Sequence, residues 1–216
     1  MQSTAKSDKP HADNAWGFDL CYHPRMKQVV VIAGPAGSGK DSIIREIVKR
    51  YPHAVMATNA TTRHPRPGEI DGVHYHFMDK ARFHSELENG HIPEHYHRAE
   101  TDTYYGAYKP DLDRRIAEGK IVFFQIQIVG ATYLKKNYDA TTIFIMPPSL
   151  DAFETRVRAR APMSDTEWAE RKAFTEREVR EEAPWYDYRI TNADGKLRDT
   201  VERVVEILKK EGYTLT

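Results

Sequence analysis

Short apolar runs alternate with amphipathic stretches along this chain. Val29–Ile32 is uniformly apolar and marks a strand over 27–33 buried on both faces. The amphipathic run 42–51 predicts a first helix, and 54–59 a second strand. From 60 to 72 the chain has prolines at 65 and 67, glycines at 68 and 72 and no period, which predicts a loop. Residues 73–78 alternate around Tyr75 and Phe77 and read as a strand. Asp79 can cap a helix running to Asn89, with Gly90 as its stop. A strand over 92–100, a turn over 101–106 and a short helix over 111–118 follow. The run 121–128, IVFFQIQI, predicts a strand whose end turns polar on one face, with Gln125 and Gln127 side by side. Then come a helix over 130–137, a buried strand over 141–146, a helix from a Ser149 cap through Arg160 and a charged helix over 166–182. A strand over 188–191 and a helix over 197–210 close the chain, and no internal repeat is visible.

Strands that alternate with helices imply an α/β fold: a parallel sheet flanked by helices. The segment 58–107 breaks the alternation and predicts a small inserted β-rich lobe, and the arginine-rich segment 158–176 predicts a helical lid. One domain spans 27–216, after a polar extension over 1–26 that is expected to be disordered and whose Trp16, Phe18 and Leu20 could dock on the core.

Charge narrows the partners. Lys+Arg and Asp+Glu both number 32, so the formal net charge is zero, which favours neither a nucleic-acid coat nor an anionic-membrane binder. The single cysteine, Cys21, suits a reducing, cytoplasmic compartment, and no apolar run approaches a membrane span. The expected partners are small molecules, with the protein a monomer or homodimer.

The candidate chemistry starts directly after the first strand. Gly34-Pro35-Ala36-Gly37-Ser38-Gly39-Lys40 leads into the first helix, the strand–glycine loop–lysine–helix context of a P-loop. Converging backbone N–H groups and the helix start make an anion site, and Lys40 can reach the β- and γ-phosphates of a bound triphosphate. A plain glycine turn would not need that lysine at that spacing. The next residue is Asp41 rather than a Ser or Thr to hold Mg²⁺, with Ser42 following. A second stretch, TTRHPRPGE over 61–69, sets Arg63 and Arg66 three apart on a proline-stiffened loop, a fork for one phosphate, with Tyr75 and Tyr105 offering hydroxyls. A solvated basic loop is the plain alternative. Two phosphate sites in one chain are what phosphoryl transfer to a phosphorylated acceptor needs.

With these pieces in order, and with GVHYHF (72–77), TYYG (103–106) and YRITNAD (188–194), the chain resembles the guanylate kinase family over about 27–212. The resemblance implies ATP and GMP as substrates, with Mg²⁺. Lys40 and the loop from Gly34 to Ser42 would hold ATP, with Asn192 near its adenine. Arg63, Arg66, Tyr75 and Tyr105 would hold the acceptor phosphate. Glu94 would read the guanine N1–H and 2-amino group, a donor pair adenine lacks. Arg156, Arg160 and Arg171 would close over the transferring phosphoryl group.

The chain departs from that family's pattern at Asn59 and Ala107, where hydroxyls are usual, and at Gln125 and Gln127, where aspartates are usual. Two extra residues between Glu94 and Gly106 make Glu100 a competitor for the base-reading role. Asp41 is expected to supply the missing acidic group on the Mg²⁺ side; a tolerated variant is the alternative. GPAGSGKDS is also similar to the P-loop of ribose 1,5-bisphosphate kinases, although those lack the TTRxPRxGE loop, so that activity or another nucleotide acceptor ranks second. The pairs His74/His76 and His95/His97 read as solvated strand faces, and 176–182 as a solvated helix face. A non-catalytic protein-binding module of the same fold is disfavoured because Lys40 and the lid arginines are all present.

Overall fold

The computed structural model describes residues 27–159 and 163–216. In chain order these form β1 (Val29–Ala33), α1 (Lys40–Arg50), β2 (Ala54–Met56), β3 (Ala60–Thr61), β4 (His76–Phe77), α2 (Lys80–Glu88), β5 (His95–Arg98), β6 (Thr103–Gly106) and α3 (Lys109–Ala117). Then follow β7 (Ile121–Phe124), α4 (Ile128–Tyr138), β8 (Thr141–Met146), α5 (Leu150–Arg158), α6 (Asp165–Arg177), a π-helical turn (Glu178–Glu182), β9 (Tyr188–Thr191) and α7 (Leu197–Lys210).

Two sheets result. The main sheet has the order β2-β7-β1-β8-β9, every pair parallel. Its uniformly apolar strands follow from burial on both faces. Val30 and Ile32 point into a core shared with Ile43, Ile44 and Ile47 of α1 and Val204 and Leu208 of α7. Val29 and Val31 point the other way, toward Leu134 of α4 and Phe144. The second sheet has the order β4-β3-β6-β5, with its own small core of Ala60, Met78, Phe83 and Ile92. Asp79 caps α2 by accepting from Arg82 N. Ser149 caps α5 through Ala152 N, and Ser164 and Glu167 form a reciprocal capping box at α6.

The inserted segment corrects several expectations. The strand expected over 54–59 ends at Met56, and the chain crosses to the second sheet at Ala60. The alternation at 73–78 begins as a turn, in which His74 N donates to Ile70 O; Tyr75 then bridges to Asp71, and His76–Phe77 pairs as strand. The expected turn over 101–106 is strand β6, the reversal coming earlier in a 3-10 turn at Ala99–Thr101. The apolar run 121–128 leaves the sheet at Phe124. Gln125 and Gln127 therefore share no strand face, and Gln127 stands at the N-terminal boundary of α4. The helix expected over 166–182 changes hydrogen-bond pattern at Glu178. The docking expected of Trp16, Phe18 and Leu20 lies outside the described residues.

Candidate active site

The glycine loop lies between the end of β1 and the start of α1. Gly39 takes the left-handed φ of 92° as it enters the helix, and a Cβ there would fall 2.3 Å from Asn192 Nδ2. Side chains are excluded from that position by both backbone and neighbour. No side chain caps α1, so its first N–H groups face the loop and suit an anion. Lys40 Nζ donates to Pro35 O at 3.3 Å, folded back over the loop. Ser38 Oγ is buried there without a hydrogen-bond partner.

Asn192 braces this loop. Its Nδ2 donates to Ser38 O at 2.8 Å, and its Oδ1 accepts from Thr200 Oγ1 at 3.0 Å. Arg156 of α5 donates to Asn192 O at 2.8 Å and pairs with Asp194 at 2.6 Å. Gly37, Gly39, Ser42, Arg156 and Asp194 line a cleft of about 340 Å³. A second cavity of about 260 Å³ joins Lys40 to Gln125, Gln127, Glu178, Glu182 and Tyr186.

The second sheet carries the other half. Both guanidinium ends of Arg63 donate to Glu69, at 2.8 and 2.9 Å, and Arg66 N donates to the same carboxylate at 2.7 Å. The Arg63 guanidinium, then the Arg66 amide, hold Glu69 down at a pKa of about 2. The Arg63 guanidinium lies 5.4 Å from the Tyr75 ring and 5.6 Å from the Phe77 ring, and Tyr75 meets Tyr105 edge-on at 6.1 Å.

Strand register aligns three further positions. Ala60 pairs with Gly106, and Gly106 with His95. One step along, Asn59, Ala107 and Glu94 therefore fall in one row on one face. Ala107 N donates to Glu94 Oε1 at 3.4 Å, and burial pushes the Glu94 carboxyl pKa up. The Asn59 Oδ1 is buried with no partner. Gly130 of α4 approaches the row so closely that a Cβ there would sit 2.8 Å from Glu94 Cδ. Glu100 sits exposed on the 3-10 turn, away from this row.

A family model described as guanylate kinase matches residues 26–211. The chain belongs to the guanylate kinase family. A guanylate kinase of Synechocystis sp. is 35% identical over 185 residues, covering 85% of this chain and 94% of its own. One of Thermosynechococcus vestitus is 38% identical over 172 residues, covering 79% and 88%. The crystal structure of guanylate kinase from Anaplasma phagocytophilum shares the fold with a TM-score of 0.61, at 24% identity over 88% of each chain.

Within this guanylate kinase frame the expected site residues divide. Lys40, Ser42 and Arg156 line the two cavities beside the glycine loop, as do Gln125 and Gln127. Arg63, Tyr75 and Tyr105 cluster on the second sheet, with Arg66 exposed beside them. Asp41 occupies the first turn of α1. Asn192 lines the first cleft, although its amide is spent on Ser38 and Thr200. Arg171 is exposed on α6 and lines neither cavity, and Arg160 lies outside the described residues.

Glu178 was not singled out by the sequence pattern, and it corrects the expected solvated face over 176–182. It is half-buried in the cavity beside Lys40. Burial, then the neighbouring Glu182, push its pKa up to about 7 against the opposing charges of Lys40 and Arg177. Only the tertiary fold reveals this, because Glu178 stands in an ordinary mixed-charge run. The histidine pairs stay outside the chemistry: His74 Nδ1 accepts from Ile70 N and His97 pairs with Asp102. No group of three or more metal-ligating side chains exists among the described residues.

Proposed function

We propose that this protein transfers the γ-phosphoryl group of ATP to the phosphate of GMP or dGMP, giving ADP and GDP. The observation that carries this reading is the pairing of two phosphate-binding constellations with one base-reading row. The glycine loop and Lys40 suit the donor triphosphate. Arg63, Arg66, Tyr75 and Tyr105 suit the acceptor phosphate, and Asn59, Ala107 and Glu94 suit its base. The relatives named guanylate kinase support the same substrates.

Such transfer asks the protein for position and charge rather than a covalent step. The α1 N–H groups and Lys40 would hold the donor while its γ-phosphorus leaves the bridging oxygen for an acceptor phosphate oxygen. Arg63, kept in place by Glu69, would fix that acceptor oxygen. The Glu94 carboxylate would accept hydrogen bonds from the guanine N1–H and 2-amino group, and the unpartnered Asn59 Oδ1 would meet the base beside it. Arg156 and α6 fit a lid that keeps water out. Mg²⁺, when bound with the nucleotide, supplies neutralising charge to the phosphates. Asp41 and Ser42 are the residues that would hold it, and so sparse a donor set fits an ion that keeps several waters and binds mainly through phosphate. The reducing compartment suggested by the single cysteine fits a cytoplasmic kinase.

ADP release measured with Mg-ATP against GMP, dGMP, IMP, AMP, UMP, CMP and ribose 1,5-bisphosphate tests the reading. Strong preference for GMP and dGMP is the expected outcome. Turnover of the bisphosphate or of another base would mean that Asn59 and Ala107 mark a respecified pocket. No turnover of any acceptor would assign the fold to a binding role.

A further inference from the structure

The hairpin from β5 to β6 holds an arginine that none of the motifs above includes. Arg98 is exposed at the end of β5, with its guanidinium 6.0 Å from the centre of the Tyr105 ring. It makes no ion pair among the described residues, whereas Arg63, Arg115 and Arg156 each hold a carboxylate. Its orientation follows from alternation. Glu94, Tyr96 and Arg98 share one face of β5, and His95 and His97 the other. His95 meets Phe83 edge-on and His97 stacks on Tyr104, on the lobe's own core side. Glu94 faces Gly130 of α4, so its face is the one turned to the cleft. Arg98 thus stands on the cleft side, across Tyr105 from Arg63.

The hairpin is held rather than loose. Asp102, in a left-handed conformation at φ 47°, pairs with Lys80 at the start of α2 and with His97 Nε2 at 3.0 Å. His97 in turn stacks on Tyr104 at 4.3 Å, with ring planes 22° apart. The register also accounts for the two extra residues between Glu94 and Gly106. Arg98 still pairs with Thr103, so the added length is taken up in the turn, and Glu94 keeps its place opposite Ala107.

We propose that Arg98 is a further acceptor-binding residue, closing on the acceptor phosphate from the β5 side while Arg63 and Arg66 hold it from the other. The proposal rests on the acceptor assignment of Arg63, Tyr75 and Tyr105. A phosphate dianion between Tyr75 and Tyr105 would meet Arg98 as an unpaired cation already placed over one of its phenols. Such a guanidinium gains a charge-assisted partner on binding and gives up none.

The test is calorimetric titration of the full chain with GMP, together with kinetics in which GMP and ATP are varied separately, on wild type, R98A, R98K and R63A. R98A is expected to weaken GMP binding about tenfold and to raise the KM for GMP, with the KM for ATP unmoved. R98K should recover part of the loss. If R63A weakens GMP and R98A does not, Arg98 is a surface residue and the proposal is overturned while the acceptor site stands. If neither variant weakens GMP, the acceptor assignment fails and the proposal fails with it. A loss in R98A that affects ATP and GMP alike would show general destabilisation, which also overturns it.

Discussion

At the scale of single residues, the acidic groups around Lys40 decide how the site carries charge. Asp41 lies in the first turn of α1, where the positive helix end favours a carboxylate in any case. If it also serves Mg²⁺, Asp41→Ser should raise the Mg²⁺ concentration for half-maximal activity several-fold, and adding Gln125→Asp should bring it back. An unchanged Mg²⁺ titration would leave Asp41 as a helix-end charge only. Glu178 makes a second, independent prediction. Its folded-state pKa of about 7 lies above the ordinary carboxylate value, so the native protein binds that proton more tightly than the unfolded chain. The stabilising contribution is full below the unfolded pKa and is lost as pH rises through about 7. Glu178→Gln stays neutral and removes this slope. Urea denaturation at pH 5 and pH 8 should show wild type losing about 1 kcal/mol relative to the variant, a figure reduced for solvent screening. Parallel pH profiles would mean the carboxyl is already charged at pH 5. That Arg63 and Arg66 lie together was legible in the sequence because a short proline-stiffened motif carries both. Glu178 was not, because Lys40, Gln125, Gln127 and Phe144, which line the cavity with it, come from distant segments.

Among the elements, those with the strongest apolar pattern were the readable ones. Strand β8 and helix α7 lie where the pattern put them, since a continuous apolar run and a strong amphipathic period leave little choice. The lobe was read poorly because β3 and β4 have two residues each, too few to show a period. The run 121–128 misled for a different reason: after Phe124 its isoleucines pack as the entry to a helix rather than as strand. That helix carries a glycine whose role is spatial. An alanine at 130 would on propensity favour α4 by about 1 kcal/mol over glycine. Its Cβ would instead fall 2.4 Å from Ile126 Cδ1 and 2.8 Å from Glu94 Cδ, and both must move. Gly130→Ala should therefore raise the KM for GMP about tenfold while thermal stability changes by only a few degrees. Comparing melting temperature with GMP kinetics separates the two effects. An unaltered GMP KM would place Glu94 outside the base-reading role.

Across the whole molecule, transfer requires the second sheet to present the acceptor to a loop that belongs to the first, so the joint between them matters. The chain crosses into the lobe at about residue 58 and returns at about 107, and one buried carboxylate ties the two crossings together. Asp111, in the first turn of α3, accepts from Arg114 at 2.6 Å and from Arg115 at 2.5 Å. Arg115 also donates to Thr58 Oγ1 at 2.7 Å, at the outward crossing. From the lobe side, His76 of β4 comes within 3.6 Å of Asp111 and packs its ring 4.7 Å from that of Tyr108. Asp111→Ala would leave the largely buried Arg115 without its counter-charge. Breaking such a pair costs about 3 kcal/mol, and urea unfolding should register a loss of that order. Asp111→Asn keeps one acceptor for the arginines and should cost less. The kinetic consequence is directional. Lys40 and the glycine loop are anchored through β1, α1 and Asn192, which this joint does not touch. The KM for GMP should therefore rise more than the KM for ATP in both variants. Equal changes in the two would mean that the joint stabilises the protein as one body and plays no part in aiming the acceptor.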